Sequence, residues 1–369
     1  MSTSEPAGRT RPLREFARRT VWLLAVVLAG LEVFSGLPAS ARAVEDMSGR
    51  VVEVPSYVAR VACLEVLCYQ RMYMLGEQAR IALMYDTAPP WMAATNPQVG
   101  AIPRTVGDAN IEELLARKVD VALLLYDAER VLPKLSAVGI PALISQPFGR
   151  PAASEEAFIA ETMRAVRLFG QVLGGDAEAQ AAAWCDYFET RIRRVLARTK
   201  DLPPSQRPRL YYARGPLALN TQGGGSYTYW SGVIAGATLI GSASPLAGSG
   251  TMAMEDILRW DPQLVLVGRH YPLALVRNDP RWAGVAAVRD GRVLPMPDGV
   301  FYWDGGPEGA LLLTEFIAKL LHPDRFADLD MRAEVQAYYA RFYRTHLDDT
   351  AADRLLRGEP PVMSSPERR

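Results

Sequence analysis

Apolar positions fall along this chain in two rhythms. Between residues 60 and 144, short apolar runs alternate with stretches of helical spacing. Arg60-Val-Ala-Cys-Leu64 and Arg80-Ile-Ala-Leu-Met84 read as buried strands, with a helix from Tyr69 to Gly76 between them. Asn110-Ile-Glu-Glu-Leu-Leu-Ala-Arg117 predicts a helix capped by Asn110. It feeds Val119-Asp-Val-Ala-Leu-Leu-Leu125, an apolar run suited to a parallel strand buried on both faces. A helix over Glu129–Val138 and a strand at Pro141–Ile144 complete the first pattern. From Ser154 to Lys200 the strand rhythm vanishes. Ser154 starts one helix, Gly174-Gly175 interrupts it, and Asp176 offers a cap for a second helix over Ala177–Lys200. At 1.5 Å per residue the second helix spans about 36 Å, enough to bridge two lobes.

After Leu202-Pro-Pro204 the first rhythm restarts. Pro208-Arg-Leu-Tyr-Tyr-Ala213 is a strand, followed by a Gly-rich turn over Thr221–Ser226 and a helix from Tyr227 to Ala235. Met254-Glu-Asp-Ile-Leu-Arg-Trp260 repeats the helix that feeds a strand, here Leu264-Val-Leu-Val267. Arg292–Met296 is a last strand, and Glu308–Leu321 and Met331–His346 are closing helices. The polar, Pro-rich stretch from 351 to 369 reads as a disordered tail. Helices alternating with apolar strands, in two copies, define an α/β chain with mainly parallel sheets. The predicted division is 1–43, 44–153, 154–203, 204–350 and 351–369.

Residues 1–43 carry the parts of a secretory signal peptide. A leader with Arg9, Arg11, Arg14, Arg18 and Arg19 precedes an uncharged apolar run from Val21 to Leu31. Ala41-x-Ala43 then fits a signal-peptidase site. The run is about half the ~20 residues that cross a bilayer, so a removed signal is favoured over an anchor. Arg18-Arg19 also matches a twin-arginine leader, and the export route stays open. No cysteine stands at the cleavage site, so a lipoprotein is not expected. The expectation is a periplasmic protein beginning near Val44.

The chain has 41 basic and 41 acidic side chains. Six arginines and three glutamates belong to the leader, so the remainder carries 35 against 38, a net charge of −3. That excludes the basic footprint of a nucleic-acid binder. Cys63 and Cys68 either pair in an oxidising compartment or remain separate thiols. Cys185 falls in the long helix, at a core position.

In their order, these segments resemble the helical-backbone periplasmic binding proteins of ABC importers for ferric siderophores, vitamin B12, haem and some oxyanions. The resemblance runs from Asp46 to about Leu347. It rests on the entry Asp46-Met-Ser-Gly-Arg-Val-Val-Glu-Val-Pro55, the helix-then-strand unit at Asn110–Val121, and its repeat at Met254–Pro262. Trp282 with Ala287-Val-Arg-Asp-Gly-Arg-Val-Leu294 matches the family's last helix–turn–strand segment. The resemblance implies two α/β lobes joined by one long backbone helix, with the ligand held in the cleft between them. It also implies that Glu112 and Glu255, one per lobe, dock on arginines of the membrane permease.

Ligands of open α/β sheets sit beyond the carboxyl ends of the strands, a rule that selects Tyr69, Tyr126, Arg214, Arg269, His270, Phe301 and Trp303. Aromatic rings offer flat apolar surface to a chelate or macrocycle. Arginines supply charge-matched forks for oxyanion or carboxylate groups. His270 is one of three histidines and the one placed at a strand's carboxyl end, so it is also the candidate metal ligand. The alternative for each aromatic is core packing, and for each charged residue an ordinary surface position.

Together these features predict a monomeric, non-enzymatic binding protein with no intrinsic cofactor, delivering a small-molecule metal chelate to an ABC permease. An iron–siderophore complex is the first choice of cargo. A corrinoid, haem, or a small oxyanion such as molybdate or tungstate is the alternative. A sensor module is a third reading. A metallohydrolase is disfavoured by the lack of His-x-x-x-His and Cys-x-x-Cys. A serine hydrolase is disfavoured because Ala247 and Thr251 stand where glycines would flank Ser249.

Overall fold

The computed structural model describes residues 1–2, 41–106, 110–125, 130–146, 152–240 and 249–362. Most of the expected leader (3–40), Tyr126 and the end of the tail (363–369) lie outside them. The chain divides into Met1–Ala41 and Arg42–Arg369, and the fold described here is that of the second unit.

Strands β1 (Ala41–Glu45) and β2 (Val51–Pro55) form an opening hairpin. Asp46 fixes its turn, its carboxylate accepting the amides of Ser48 at 2.9 Å and Arg50 at 3.0 Å. The first lobe then runs β3 (Val61–Leu64), α1 (Cys68–Met74), β4 (Ile81–Tyr85), α2 (Pro90–Thr95), β5 (Arg104–Thr105), α3 (Ile111–Ala116), β6 (Val121–Leu124), α4 (Leu132–Ala137) and β7 (Ala142–Ile144). Its sheet has the order β5-β4-β3-β6-β7, and every neighbouring pair is parallel. The apolar run of β6 is buried at every position, as a strand covered on both faces requires. Asn110 caps α3, its side chain accepting the Glu112 amide at 2.9 Å.

Helices α5 (Glu155–Leu173) and α6 (Asp176–Thr199) form the connection. Ser154 caps α5 as expected. Asp176 does not cap α6: the cap position is Gly175, at φ +57°, and Asp176 sits in the first turn. There the helix dipole favours its charge. Gly174, at φ +68°, makes the same reversal of the chain possible. Trp184, Phe188, Ile192 and Val195 lay one buried stripe along α6.

The second lobe runs β8 (Arg209–Ala213), β9 (Asn220–Gln222), α7 (Tyr227–Ile234), β10 (Thr238–Leu239), β11 (Ser249–Thr251), α8 (Met254–Trp260), β12 (Leu264–Val267), α9 (Ala274–Arg277), α10 (Ala286–Arg289) and β13 (Val293–Pro295). Helices α11 (Gly306–Leu321), α12 (Met331–Tyr338) and α13 (Asp349–Leu356) close the chain. The sheet order is β10-β8-β12-β13, again parallel. Period-two alternation splits its side chains between two cores. Leu210, Tyr212, Leu264 and Leu266 face the core shared with α6 and the first lobe. Tyr211, Ala213, Val265 and Val267 face a separate core around Trp282.

Three expectations are corrected. The Gly-rich turn begins as strand β9, which pairs antiparallel with β11. The helix placed over Glu129–Val138 covers Leu132–Ala137 among the described residues. The tail expected to be disordered from 351 carries α13, because Ala352 and Leu355 bury one face of an amphipathic turn and Asp348 caps it.

Candidate ligand site between the lobes

Both sheets reverse their direction of winding at one point. In the first lobe the chain moves outward from β3 through β4 to β5, then returns to place β6 on the other side of β3. In the second it moves from β8 to β10, then returns to place β12 on the other side of β8. At such a switch point the loops diverge and leave a crevice at the strands' carboxyl ends. The residues there are Glu65 in one lobe, and Arg214 and Gly268-Arg269-His270 in the other.

In the second lobe everything converges on Asp304, whose side chain is fully buried. Tyr212, on β8, donates its hydroxyl to Asp304 Oδ2 at 2.7 Å. Arg269 binds the same carboxylate with two nitrogens, Nε at 2.7 Å and Nη2 at 3.1 Å, while its guanidinium lies 5.0 Å above the Tyr302 ring. Arg214 Nη1 approaches Oδ2 at 3.6 Å, and Gln222 Nε2 donates at 3.4 Å. Arg214 is itself held by reciprocal backbone bonds with Asn220. Local sequence makes the convergence possible. A Cβ on Gly268 would stand 2.4 Å from the Tyr212 hydroxyl, so only glycine lets β12 pass the ring. Arg269 and His270 then both adopt left-handed backbone, at φ +52° and +56°. Such a conformation costs an L-residue roughly 1 kcal/mol or more, and the buried carboxylates of Asp304 and Asp298 offset it.

His270 Nε2 lies 2.5 Å from Asp298 Oδ2, and the Gly358 backbone is a further hydrogen-bond partner. The Asp298 hydrogen bond holds the imidazole pKa above its ordinary value, against a smaller opposing effect of burial. Burial raises the Asp298 carboxyl in turn, and the imidazole beside it pulls the other way. These contacts tie His270 to Asp298 and to the C-terminal segment at Gly358. Among the described residues, no group of three or more His, Cys, Asp or Glu could hold a metal ion.

The charges of this face do not cancel. Arg214 and Arg269 oppose one carboxylate, Asp304, while His270 and Asp298 balance each other. One positive charge is left over, and it is accessible: the side chains of Arg214 and Arg269 are 20% and 37% exposed, against 0% for Asp304. Burial pulls the Arg269 pKa down, but the charge and hydrogen bond of Asp304 outweigh it and the net shift is upward.

The first lobe presents a balanced counterpart. The Cys63–Cys68 disulfide joins the end of β3 to the start of α1, with Cα atoms 5.4 Å apart. Within that turn the Glu65 carboxylate accepts the Leu67 amide at 2.6 Å, Arg71 Nη1 at 3.0 Å and the Ser145 hydroxyl at 3.2 Å. Burial raises the Glu65 pKa despite the Arg71 charge. Arg71 also donates to Gln146, whose amide reaches across to the Tyr227 hydroxyl at 3.3 Å. A second bridge between the lobes is Gln70 Nε2 to Glu308 Oε2 at 3.0 Å.

The aromatic candidates are placed differently from expectation. Tyr69 is 1% exposed and accepts a bond from Asn96, because every residue of α1 is buried. Trp303 is fully buried and donates to Glu308 at 3.0 Å, and Phe301 is buried beneath the start of α11. These three are core residues here. Arg214 and Arg269 do come together. Tyr126 lies outside the described residues, and Glu112 and Glu255 are exposed on α3 and α8. Asp304, Tyr212, Gln222 and Asp298 were not singled out, although the rule that selected Arg269 also selects the carboxylates following β13.

The fold and the paired switch points are similar to those of solved periplasmic solute-binding proteins. The chain's relatives are binding proteins rather than enzymes. It is 29% identical to the molybdate-binding protein MolA of Haemophilus influenzae, over 89% of this chain and 98% of that protein. The structure of MolA bound to molybdate superimposes with a TM-score of 0.74, at 25% identity, covering 83% of this chain and 99% of that one. A periplasmic solute-binding protein of Veillonella parvula shares the fold at a TM-score of 0.72 and 21% identity, covering 86% and 97%. So does Helicobacter pylori CeuE with Ni(II) bound, at 0.70 and 18%, covering 85% and 99%. No family model matches the chain.

Proposed function

We propose that this protein captures a tetrahedral oxyanion of the molybdate or tungstate kind in the interlobe cleft, in the periplasm, and delivers it to an ABC permease. The observation that carries the reading is the pair of part-exposed Arg214 and exposed Arg269, aimed by one buried carboxylate and leaving one positive charge unmatched. Arginine forks suit oxyanions because each guanidinium offers parallel N–H donors to two oxygens. The iron–siderophore reading rested on mixed aromatic and arginine residues, and burial of Tyr69, Phe301 and Trp303 takes three of its four aromatic candidates out of the cleft. Similarity to a molybdate-binding relative points the same way. Glu112 and Glu255 are assigned to permease docking by their matched positions in the two lobes.

Calorimetric titration of the purified protein with sodium molybdate, sodium tungstate, sulfate and a ferric hydroxamate tests the cargo. Saturable binding of molybdate and tungstate is expected, with loss of about 100-fold or more in Arg269→Ala, the scale of a charged contact left unmade. Binding of the ferric chelate without binding of molybdate overturns the oxyanion reading and restores the chelate.

A further inference from the structure

The stretch whose composition reads as a disordered tail connects the lobes instead. Helix α13 ends in a Schellman turn, with the Gly358 amide bonded to the Leu355 carbonyl at 3.0 Å and the Glu359 amide to the Arg354 carbonyl at 2.9 Å. On one side this turn is moored to the first lobe. Trp91, on α2, is 2% exposed and donates its indole N–H to the Glu359 carbonyl at 3.1 Å. Just before α13, the Thr345 hydroxyl meets the hydroxyl of Tyr73, on α1, at 3.0 Å. On the other side the turn sits on the second lobe. The Asp298 amide donates to the Leu355 carbonyl at 3.4 Å, and the His270 ring hydrogen-bonds the Gly358 backbone. A Cβ on Gly358 would stand 2.5 Å from the Met296 carbonyl oxygen, so this seat requires glycine even apart from its φ of +62°.

Each second-lobe partner is one step from the loop Gly268-Arg269-His270. His270 belongs to it, Asp298 pairs with His270, and the Met296 amide bonds the carbonyl of Val267, the residue before it, at 2.9 Å. Two successive left-handed residues persist only where their surroundings hold them. Asp304 holds Arg269 from within the lobe, and the C-terminal turn holds His270 from outside it. The geometry points to Asp348–Glu359 as a strap, moored on the first lobe, that positions Arg269 of the second lobe for its ligand. Gly358 and Trp91 are its positioning residues, and they act through His270. The inference rests on the oxyanion role given to Arg269 and adds how that arginine is held. Because the strap spans both lobes, a shift of one against the other reaches the arginine as well as the width of the cleft.

Two variants of the full-length protein separate the moorings. Gly358→Val drives a side chain against the Met296 carbonyl and lifts the turn from the second lobe. Trp91→Phe keeps an aromatic ring and removes the N–H that holds Glu359 on the first. Calorimetric titration with sodium molybdate is expected to show about ten-fold weaker binding for Gly358→Val and a smaller loss for Trp91→Phe. In an Arg269→Ala background Gly358→Val should cost nothing further, since residues that act through one another are not additive. Losses that add in the double variant, or wild-type affinity in either single variant, overturn the proposal. Hydrogen exchange of the ligand-free protein is independent of the cargo. The amides of Gly268–Tyr271 should exchange about ten-fold faster in Gly358→Val, while those of β6 keep their wild-type protection. Unchanged exchange in that loop, or faster exchange throughout, overturns the strap. A wild type that binds no molybdate, with the loop still loosened by Gly358→Val, removes the oxyanion reading and leaves the strap standing.

Discussion

Asp304 and Asp298 take no part in the sequence pattern, yet they decide what the second-lobe face can do. Each aims one member of the left-handed pair Arg269-His270. The His270 ion pair has a consequence for stability, with a definite sign. A histidine whose pKa is raised on folding stabilises fully below its unfolded value of about 6.5. That contribution is lost as pH rises through the higher folded value. The groups facing the ring are Asp298, the Tyr302 ring and the Gly358 backbone. Thermal melting of wild type and His270→Gln across pH 5.5 to 9 should therefore show a gap that is widest near the acid end and narrows upward. A gap independent of pH would contradict the pairing. The disulfide acts on the other lobe. Closing a loop of roughly six residues is worth about 2 kcal/mol by loop entropy. Urea unfolding of Cys63→Ala/Cys68→Ala should show a loss of that order, and an unchanged midpoint would mean the Glu65 turn is held without it.

At the scale of elements, local rhythm was legible and long-range pairing was not. The helix-then-strand units at 110–125 and 254–267 could be read because burial on both faces leaves an unbroken apolar run. Strand β9 hides in a Gly-rich stretch because its partner β11 follows far along the chain. Helix α1 could be placed but not oriented. Its Tyr69 reads equally as cleft or core, and only the packing of all seven helix residues against the interior decides. Trp303 was ambiguous for the same reason until Glu308 supplied its partner. The two arginines were legible because a strand's carboxyl end is recognisable. Their shared anchor, Asp304, follows β13, where the same rule drew attention to its aromatic neighbours Phe301 and Trp303 instead. The junction of α6, α11 and α12 carries a further test. Burial pushes the Glu315 carboxyl up to about 7, with Arg191 and Arg194 pulling it down and Glu334 raising it. An acid whose pKa is raised on folding stabilises at low pH, and that contribution fades as pH rises from about 4.5 to about 7. Replacing it in Glu315→Gln should flatten the pH dependence of the urea midpoint across that interval. An unaltered slope would place the titration elsewhere.

For the molecule as a whole, the repeat that first appeared as a rhythm of apolar runs is a repeat of architecture. Each lobe contributes one switch point to the cleft. The lobes differ where their tasks differ. The first lobe's Glu65–Arg71 pair is buried and balanced, whereas the second keeps an arginine in excess. Two bridges, Gln70 to Glu308 and Gln146 to Tyr227, and a core continuous through α6 connect the lobes. Such a connection suits small closure around a compact ligand. The most direct test of the central claim is anomalous diffraction at the tungsten edge from crystals of the protein grown with tungstate. The account predicts one strong peak in the cleft, within about 4 Å of both the Arg214 and Arg269 guanidinium groups. A cleft without tungsten, or a peak on a face that neither arginine reaches, would contradict it.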